Sequence, residues 1–322
     1  MSVSHETFES DPPGVKYLRV LHGGSIVQAV RPTVDPRNHP EALNFFERRV
    51  RLADDDDRLV ENATLAIYST APPSTRPQQV GSGVLLRIVD QYFVLSATHV
   101  FEHVGEWALM LGRPAHELME PIGGERFVAG RPEDDPASDR LDASVFHIHS
   151  GLTDSLRRVA ITLDQVDRMG MDDQMSVHGA IGYFAKKSRT IGHEAHVARE
   201  RLVSGEYRDD DYAKLGVNRA THLALAYEDQ VWVSDRWQTS PTPTGFSGGA
   251  IVRYDGVSFN PHIHPRDAVR PVLAGITIER WKANGNVSPG ALKGTRVGVH
   301  LSLIRGFLPE LAGLEPWLGK AD

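Results

Sequence analysis

The chain contains no cysteine. That excludes disulfides and thiolate metal sites. No run of about 18 apolar residues occurs, so no transmembrane helix is expected. A basic excess is lacking too. Thirty-five Lys and Arg stand against 42 Asp and Glu, for a net charge of −7, which argues against a general nucleic-acid binder. The opening residues, MSVSHETFESDPPG, have neither a basic n-region nor an apolar h-region, so they do not read as a secretory signal. Together with the missing cysteines, this gives the expectation of a cytoplasmic protein. No repeat of fixed period and no low-complexity tract is found.

What is present is ordinary for a globular protein. The 322 residues suggest one large or two small domains, and 40% are hydrophobic and 24% charged. Residues 1 to 60 differ from the rest. His39 to Ala53 places Leu43, Phe46 and Val50 at helical spacing, and the acidic tetrad Asp54 to Asp57 reads as a solvated loop. Beyond residue 60 the pattern turns to short β-prone runs parted by Pro, Gly and polar clusters. These are Ala63 to Thr70, Gly81 to Asp90, Tyr92 to Val100, Ala143 to His149, Met175 to Phe184, Thr221 to Tyr227, Gly248 to Tyr254, Pro271 to Ile278 and Arg296 to Ser302. Many strands without helical patterns between them predict an all-β sandwich or barrels. Segments 104–140 and 188–220 read as long loops, and Ser302 to Leu314 as a terminal helix.

One stretch raises a chemical question. TPTGFSGGAIV, Thr242 to Val252, sets Ser247 between Gly245 and the pair Gly248 and Gly249. Such a cluster is commonly a plain turn. It is also a way to present a nucleophile with backbone N–H groups beside it. A serine hydroxyl needs a base to take its proton, and the base needs a partner that fixes its tautomer. YFVLSATHV supplies His99 at the end of an apolar strand, and DRLDASVFHI supplies Asp142 at the head of another. Asp139 is a rival, but Leu141 and the following Ala-Ser-Val place Asp142 better. Singly, each has a bland reading: a loop serine, one of fifteen histidines, a strand-flanking aspartate.

In combination they do more. GSGVLL followed by VLSATHV, then LDASVF, then GFSGGAIV resemble the motifs of the chymotrypsin/trypsin-like serine proteases, their bacterial-type members in particular. The order His, Asp, Ser is that family's order. The resemblance spans about residues 60 to 314. It implies an all-β fold of two six-stranded antiparallel β-barrels with a C-terminal helix and a partly helical N-terminal extension. The implied division is 1–60 as a docking or regulatory extension, 61–150 as the first barrel, 151–314 as the second barrel with its helix, and 315–322 as a tail. It further implies a catalytic triad of His99, Asp142 and Ser247, and an oxyanion hole from the N–H groups of Gly245 and Ser247. Gly248 and Gly249 would leave room for substrate and histidine. Pro241, Thr242, Ile278, Gly298 and His300 would form the substrate pocket, with Glu279 and Arg280 at its rim. The activity implied is that of a serine endopeptidase acting on protein substrates, without metal or cofactor.

Two departures bear on this expectation. Phe246 stands where zymogen-activated members carry an aspartate that binds a freed N-terminus, which points away from maturation cleavage and toward control by a partner through residues 1–60. Pro241 stands where Lys/Arg-specific members carry an acid, so basic specificity is not expected. HVFEH spaces His99 and His103 four apart but lacks the glutamate of the zinc-peptidase motif. FHIHS and PHIHP each carry His-x-His, which on a strand puts both rings on one side, but no third ligand is evident in the sequence. A silent protease-fold scaffold and an esterase using the same triad are the competing functions.

Overall fold

In a computed structural model of the chain, the described residues are 17–22, 25–30, 59–70, 76–105, 107–113, 119–129, 141–167, 176–187, 189–191, 194–197, 199–227, 230–233, 236–239, 243–258, 270–281 and 290–314. The helix expected over His39 to Ala53, the acidic tetrad and the tail 315–322 lie outside them. Within residues 1–60 a hairpin is formed by β1 (Tyr17–His22) and β2 (Ser25–Val30). A short helix, α1 (Leu59–Ala63), leads into the first barrel.

That barrel is built from β3 (Thr64–Ser69), β4 (Gln78–Ile88), β5 (Gln91–Ala97), β6 (Leu109–Gly112), β7 (Pro121–Val128) and β8 (Ala143–Ser150). A helix, α2 (Thr98–Val104), follows β5 directly. The sheet closes on itself in the order β3-β4-β5-β8-β7-β6, which leaves no unpaired edge. Alternation along β4 explains its two buried faces. Leu85 points into the barrel with Leu65, Ile67 and Val94. Val84, Leu86 and Ile88 point the other way, into a cluster shared with the second half of the chain.

After α3 (Asp154–Val159) come β9 (Ser176–Tyr183), the small pair β10 (Arg189–Ile191) and β11 (Glu194–His196), β12 (Arg199–Gly205), α4 (Asp209–Leu215) and β13 (His222–Tyr227). A further small pair, β14 (Gln230–Val233) and β15 (Arg236–Thr239), precedes β16 (Ala250–Ser258), β17 (Arg270–Trp281) and β18 (Gly290–Arg296). Six of these strands form one antiparallel sheet, ordered β12-β9-β16-β17-β18-β13. It curls until its edge strands meet at a single bridge, Glu206 to Leu225, where Tyr207 N–H donates to Ala224 O at 2.8 Å. The second barrel is thus a curled sheet joined by one backbone bridge and a hydrogen bond from Ser204 Oγ to Ala226 O at 2.7 Å, whereas the first is a closed ladder. Phe184, Leu225, Phe246, Ile251 and Leu292 fill it. The C-terminal helices α5 (Val297–Phe307) and α6 (Pro309–Leu314) place Val297, Leu301, Ile304 and Leu311 in the cluster shared by both halves. No helix among the described residues is long and apolar enough to cross a membrane.

Three expectations need correction. Arg296 to Ser302 is not a strand. Val297, His300, Leu301 and Ile304 are buried at helical spacing and open α5, while the strand lies just before it. The stretches read as loops carry strands that complete both sheets. Of β7 only Ile122 and Phe127 are buried, and β12 buries fully only Ser204 and Gly205, so neither has a clear apolar alternation. His99 sits in the first turn of α2 rather than at the end of a strand.

The seam of the second sheet is held by a buried carboxylate. Glu206 accepts from Tyr212 Oη at 2.7 Å, Arg296 Nη2 at 2.9 Å and Arg219 Nε at 3.2 Å. Removing one member of a buried ionic group leaves the others desolvated without compensation, at a cost of about 3–5 kcal/mol. Glu206→Ala is therefore expected to lower the urea midpoint by that equivalent; an unchanged midpoint would show that the seam does not depend on it.

Candidate active site

His99, Asp142 and Ser247 come from three separate segments. The helix α2 starts immediately after β5, so His99 is carried on a rigid turn whose Val100, Phe101 and Val104 pack into the first barrel. Asp142 precedes β8, which pairs with β5 so that Ala97 lies opposite Ala143. That register brings the two side chains together. His99 Nδ1 and Asp142 Oδ2 are 2.7 Å apart, and the same carboxylate accepts from His99 N–H through Oδ1 at 3.1 Å. The Asp142 carbonyl accepts from Thr98 N–H at 3.1 Å. Asp142 adopts φ +45°, a left-handed conformation rare for a side-chain-bearing residue and best tolerated by Asn and Asp. The turn is thus strained where its carboxylate meets the imidazole.

The electrostatics favour a histidine that holds its proton more readily than usual. Burial opposes the charged form of His99. The hydrogen bond to Asp142 and that carboxylate's charge outweigh it, Glu102 and Glu279 add to them, and the pKa is raised above 6.5. A second histidine, His300, is fully buried beneath. It meets Ser96 O at 3.1 Å through Nε2, and burial pushes its pKa down to about 4. It stays neutral at ordinary pH.

Ser247 lies on the turn before β16. Phe246 N–H donates to Pro243 O at 3.0 Å and Gly249 N–H to Phe246 O at 2.9 Å, which makes two consecutive tight turns. Gly245 has φ +89° and Gly248 φ +85°. Among the described residues no acceptor is met by the N–H of Gly245 or of Ser247. The Ser247 hydroxyl donates to Ile278 O at 2.9 Å and, in this structure, not to the imidazole.

The turn is tied across the two halves by a residue that sequence reasoning passed over. Ser82, on β4 of the first barrel, donates from N–H to Ser247 O at 2.7 Å and from Oγ to Gly245 O at 2.8 Å. Its Oγ in turn accepts from Tyr183 N–H at 3.2 Å, and its carbonyl accepts from Ser96 Oγ at 2.8 Å. The signal was present in GSGVLL, where a serine between glycines stands inside an otherwise apolar strand. The glycines after Ser247 also have a reason other than space for a substrate. A Cβ on Gly248 would lie 1.8 Å from Ser82 O, and one on Gly249 2.2 Å from Ile181 O. They let the turn press onto β4 and β9.

The expected pocket residues separate. Pro241 and Thr242 lie outside the described residues. Ile278 contributes its carbonyl, while its side chain is buried in the first-barrel cluster. Glu279 is exposed and pairs with Lys293 at 3.0 Å, and the Arg280 guanidinium lies 4.7 Å from the Tyr227 ring centre. Gly298 and His300 are both in α5. The first is exposed there and the second fully buried, with its Nε2 on Ser96 O. The expectation of a pocket lined by both rests on a strand over Arg296 to Ser302, where the structure has a helix from Val297. The rival Asp139 lies outside the described residues.

No family model matches the sequence, and a search of curated proteins finds no match. Among solved structures the chain is similar to neuropsin, a serine protease expressed in the limbic system of mouse brain. The identity is 13%, over 78% of this chain and 96% of that one, with a TM-score of 0.49. A closed six-stranded barrel, a curled six-stranded antiparallel sheet and C-terminal helices packed between them make this a chymotrypsin-like double-barrel fold.

Proposed function

We propose that the protein is a serine endopeptidase working through Ser247, His99 and Asp142. The observation that carries this reading is the 2.7 Å His99–Asp142 pair set in a seam where Ser82 ties the Ser247 turn to the histidine's barrel. Ser247 Oγ turns about its Cα–Cβ bond away from the Ile278 carbonyl and attacks the scissile carbonyl carbon. His99 Nε2 takes the hydroxyl proton and returns it to the leaving amine. Asp142 holds Nδ1–H and stabilises the imidazolium. The N–H groups of Gly245 and Ser247 face the oxyanion. Water, deprotonated by His99, then releases the acyl group and restores Ser247.

The glycine requirement at 245 gives a direct expectation. An added Cβ would meet Ala185 N and Tyr183 O at 2.8 Å and Gln79 Nε2 at 2.9 Å, in a conformation with positive φ. Gly245→Ala shifts the turn and its N–H, and kcat should fall by about 10²–10³-fold, the usual worth of one oxyanion donor. KM should move less, because the donor acts mainly in the transition state. Steady-state kinetics with unchanged kcat would mean that Gly245 N–H does not face the oxyanion.

Control belongs to a partner or to loop rearrangement, with residues 1–60 as the docking surface. Phe246 is fully buried, 5.2 Å from Phe184 between ring centres, and offers no charge to a freed N-terminus. The experiment for the function is digestion of a peptide library by the full-length protein and by Ser247→Ala. Internal cleavage by the first and none by the second is expected. Hydrolysis of esters without any peptide cleavage would replace the peptidase with an esterase.

A further inference from the structure

On the outer side of the first barrel, away from Ser247, three side chains converge. His147 and His149 stand two apart on β8 and so share one face. Glu125 on β7 lies directly opposite His147 in the ladder. His149 Nε2 is 3.2 Å from His147 Nδ1 and 3.3 Å from Glu125 Oε1, and His147 Nδ1 is 3.5 Å from the same oxygen. The three atoms form a triangle around one point. A chain of hydrogen bonds would need only two of these edges. A tetrahedral zinc ion, with ligands at about 2.0–2.1 Å, separates them by about 3.3–3.4 Å, which is the length of each edge here to within 0.2 Å.

We propose that Glu125, His147 and His149 form a binding site for a divalent transition metal of the zinc class. The donor set suits that choice, since two imidazoles and one carboxylate favour zinc-like ions over calcium or magnesium, which prefer all-oxygen shells. The His147 ring is held in place by stacking 4.8 Å from Phe93 on β5, with Phe127 6.0 Å away. Such fixing of a ligand ring by its surroundings is what a preorganised site requires. Three protein ligands leave a fourth position for water. The ion would clamp β7 to β8, the strand that starts beside Asp142.

The test uses the full-length chain without a histidine tag, stripped by a chelator and titrated with Zn²⁺ by calorimetry. One equivalent should bind and raise the melting temperature, and Co²⁺ in its place should give the visible absorption of a tetrahedral site. His149→Ala and Glu125→Gln should each weaken binding by at least about 10–100-fold, the usual loss when even a supporting residue is removed. His99→Ala should bind as the parent does, which separates this site from the His99–Asp142 pair. His149 and Glu125 are both half exposed, so both variants are expected to fold, with circular dichroism as the check. Unchanged zinc affinity in Glu125→Gln and His149→Ala would overturn the proposal, as would the absence of stoichiometric binding in the parent. Equal competition by Ca²⁺ would overturn the metal class.

Discussion

Ser247→Ala should lower kcat by about 10⁶-fold and leave the fold unchanged. The variant deletes one oxygen. In the resting structure that oxygen makes one hydrogen bond, to the Ile278 carbonyl, worth about 1 kcal/mol at most in net stability. The turn itself is held by backbone bonds, from Ser82 N–H to Ser247 O, Gly248 N–H to Thr277 O and Thr277 N–H to Gly249 O, none of which needs the side chain. The melting temperature should therefore hardly move while turnover collapses. His99→Ala should fall nearly as far, and the double variant no further than either alone, because nucleophile and base act as one unit. Steady-state rates of the two single variants and the double variant check this. Substantial activity in Ser247→Ala would remove Ser247 as nucleophile.

Asp142→Asn is the second large effect, with a loss of about 10⁴-fold expected. Its particular use comes from the backbone. At φ +45° an alanine would add strain, whereas asparagine tolerates this region and keeps the shape of the carboxylate. The fold is preserved and only the chemistry changes. An amide that donates to Nδ1 forces the proton onto Nε2, the nitrogen that must accept from Ser247. The pH profile adds a separate readout. His99 must be neutral to act as base, and its pKa is raised above 6.5 because the bond to and charge of Asp142 overcome the opposing effect of burial. In the parent, kcat/KM should fall as pH drops through a value above 6.5. In Asp142→Asn burial is left without its main opponent, so the acid limb should move down. A limb at the same pH in both proteins would show that Asp142 does not set the charge of His99.

The parts of this molecule that were legible in the sequence are those with local signatures. β4, β5, β8, β9 and β17 are apolar on one or both faces and lie within a few residues of where composition places them. The meeting of His99 with Asp142 follows from a register that sequence alone does not reveal, but Asp142 is marked by its place just before β8 and His99 by the apolar run of β5 that leads into its helix. What was missed has a common cause. β7 and β12 are half-solvated, so period-2 burial is weak in them. Helix α5 was misread because Val297, Val299 and Leu301 alternate over a short span as a strand would, and only Ile304 beyond them restores the helical period. The expectation for Gly298 and His300 rests on that strand. Ser82 and Glu125 were missed for a different reason. Each acquires its role from a partner far away in sequence or across a ladder, Ser247 in one case and His147 in the other. The Gly248 and Gly249 contacts are of the same kind, since backbone from β4 and β9 excludes a side chain there.

Labelling with a fluorophosphonate, read by peptide mass spectrometry of the full-length protein, tests the central assignment most directly. The reagent forms a stable bond only with a serine whose proton a neighbouring base removes. A partner that shifts the loops would change the rate, in proportion to the competent fraction, and not the residue modified. Stoichiometric phosphonylation of Ser247, abolished in His99→Ala, is the expected result. No label at Ser247 after prolonged incubation, or an equal label in His99→Ala, would contradict a nucleophile activated by the His99–Asp142 pair.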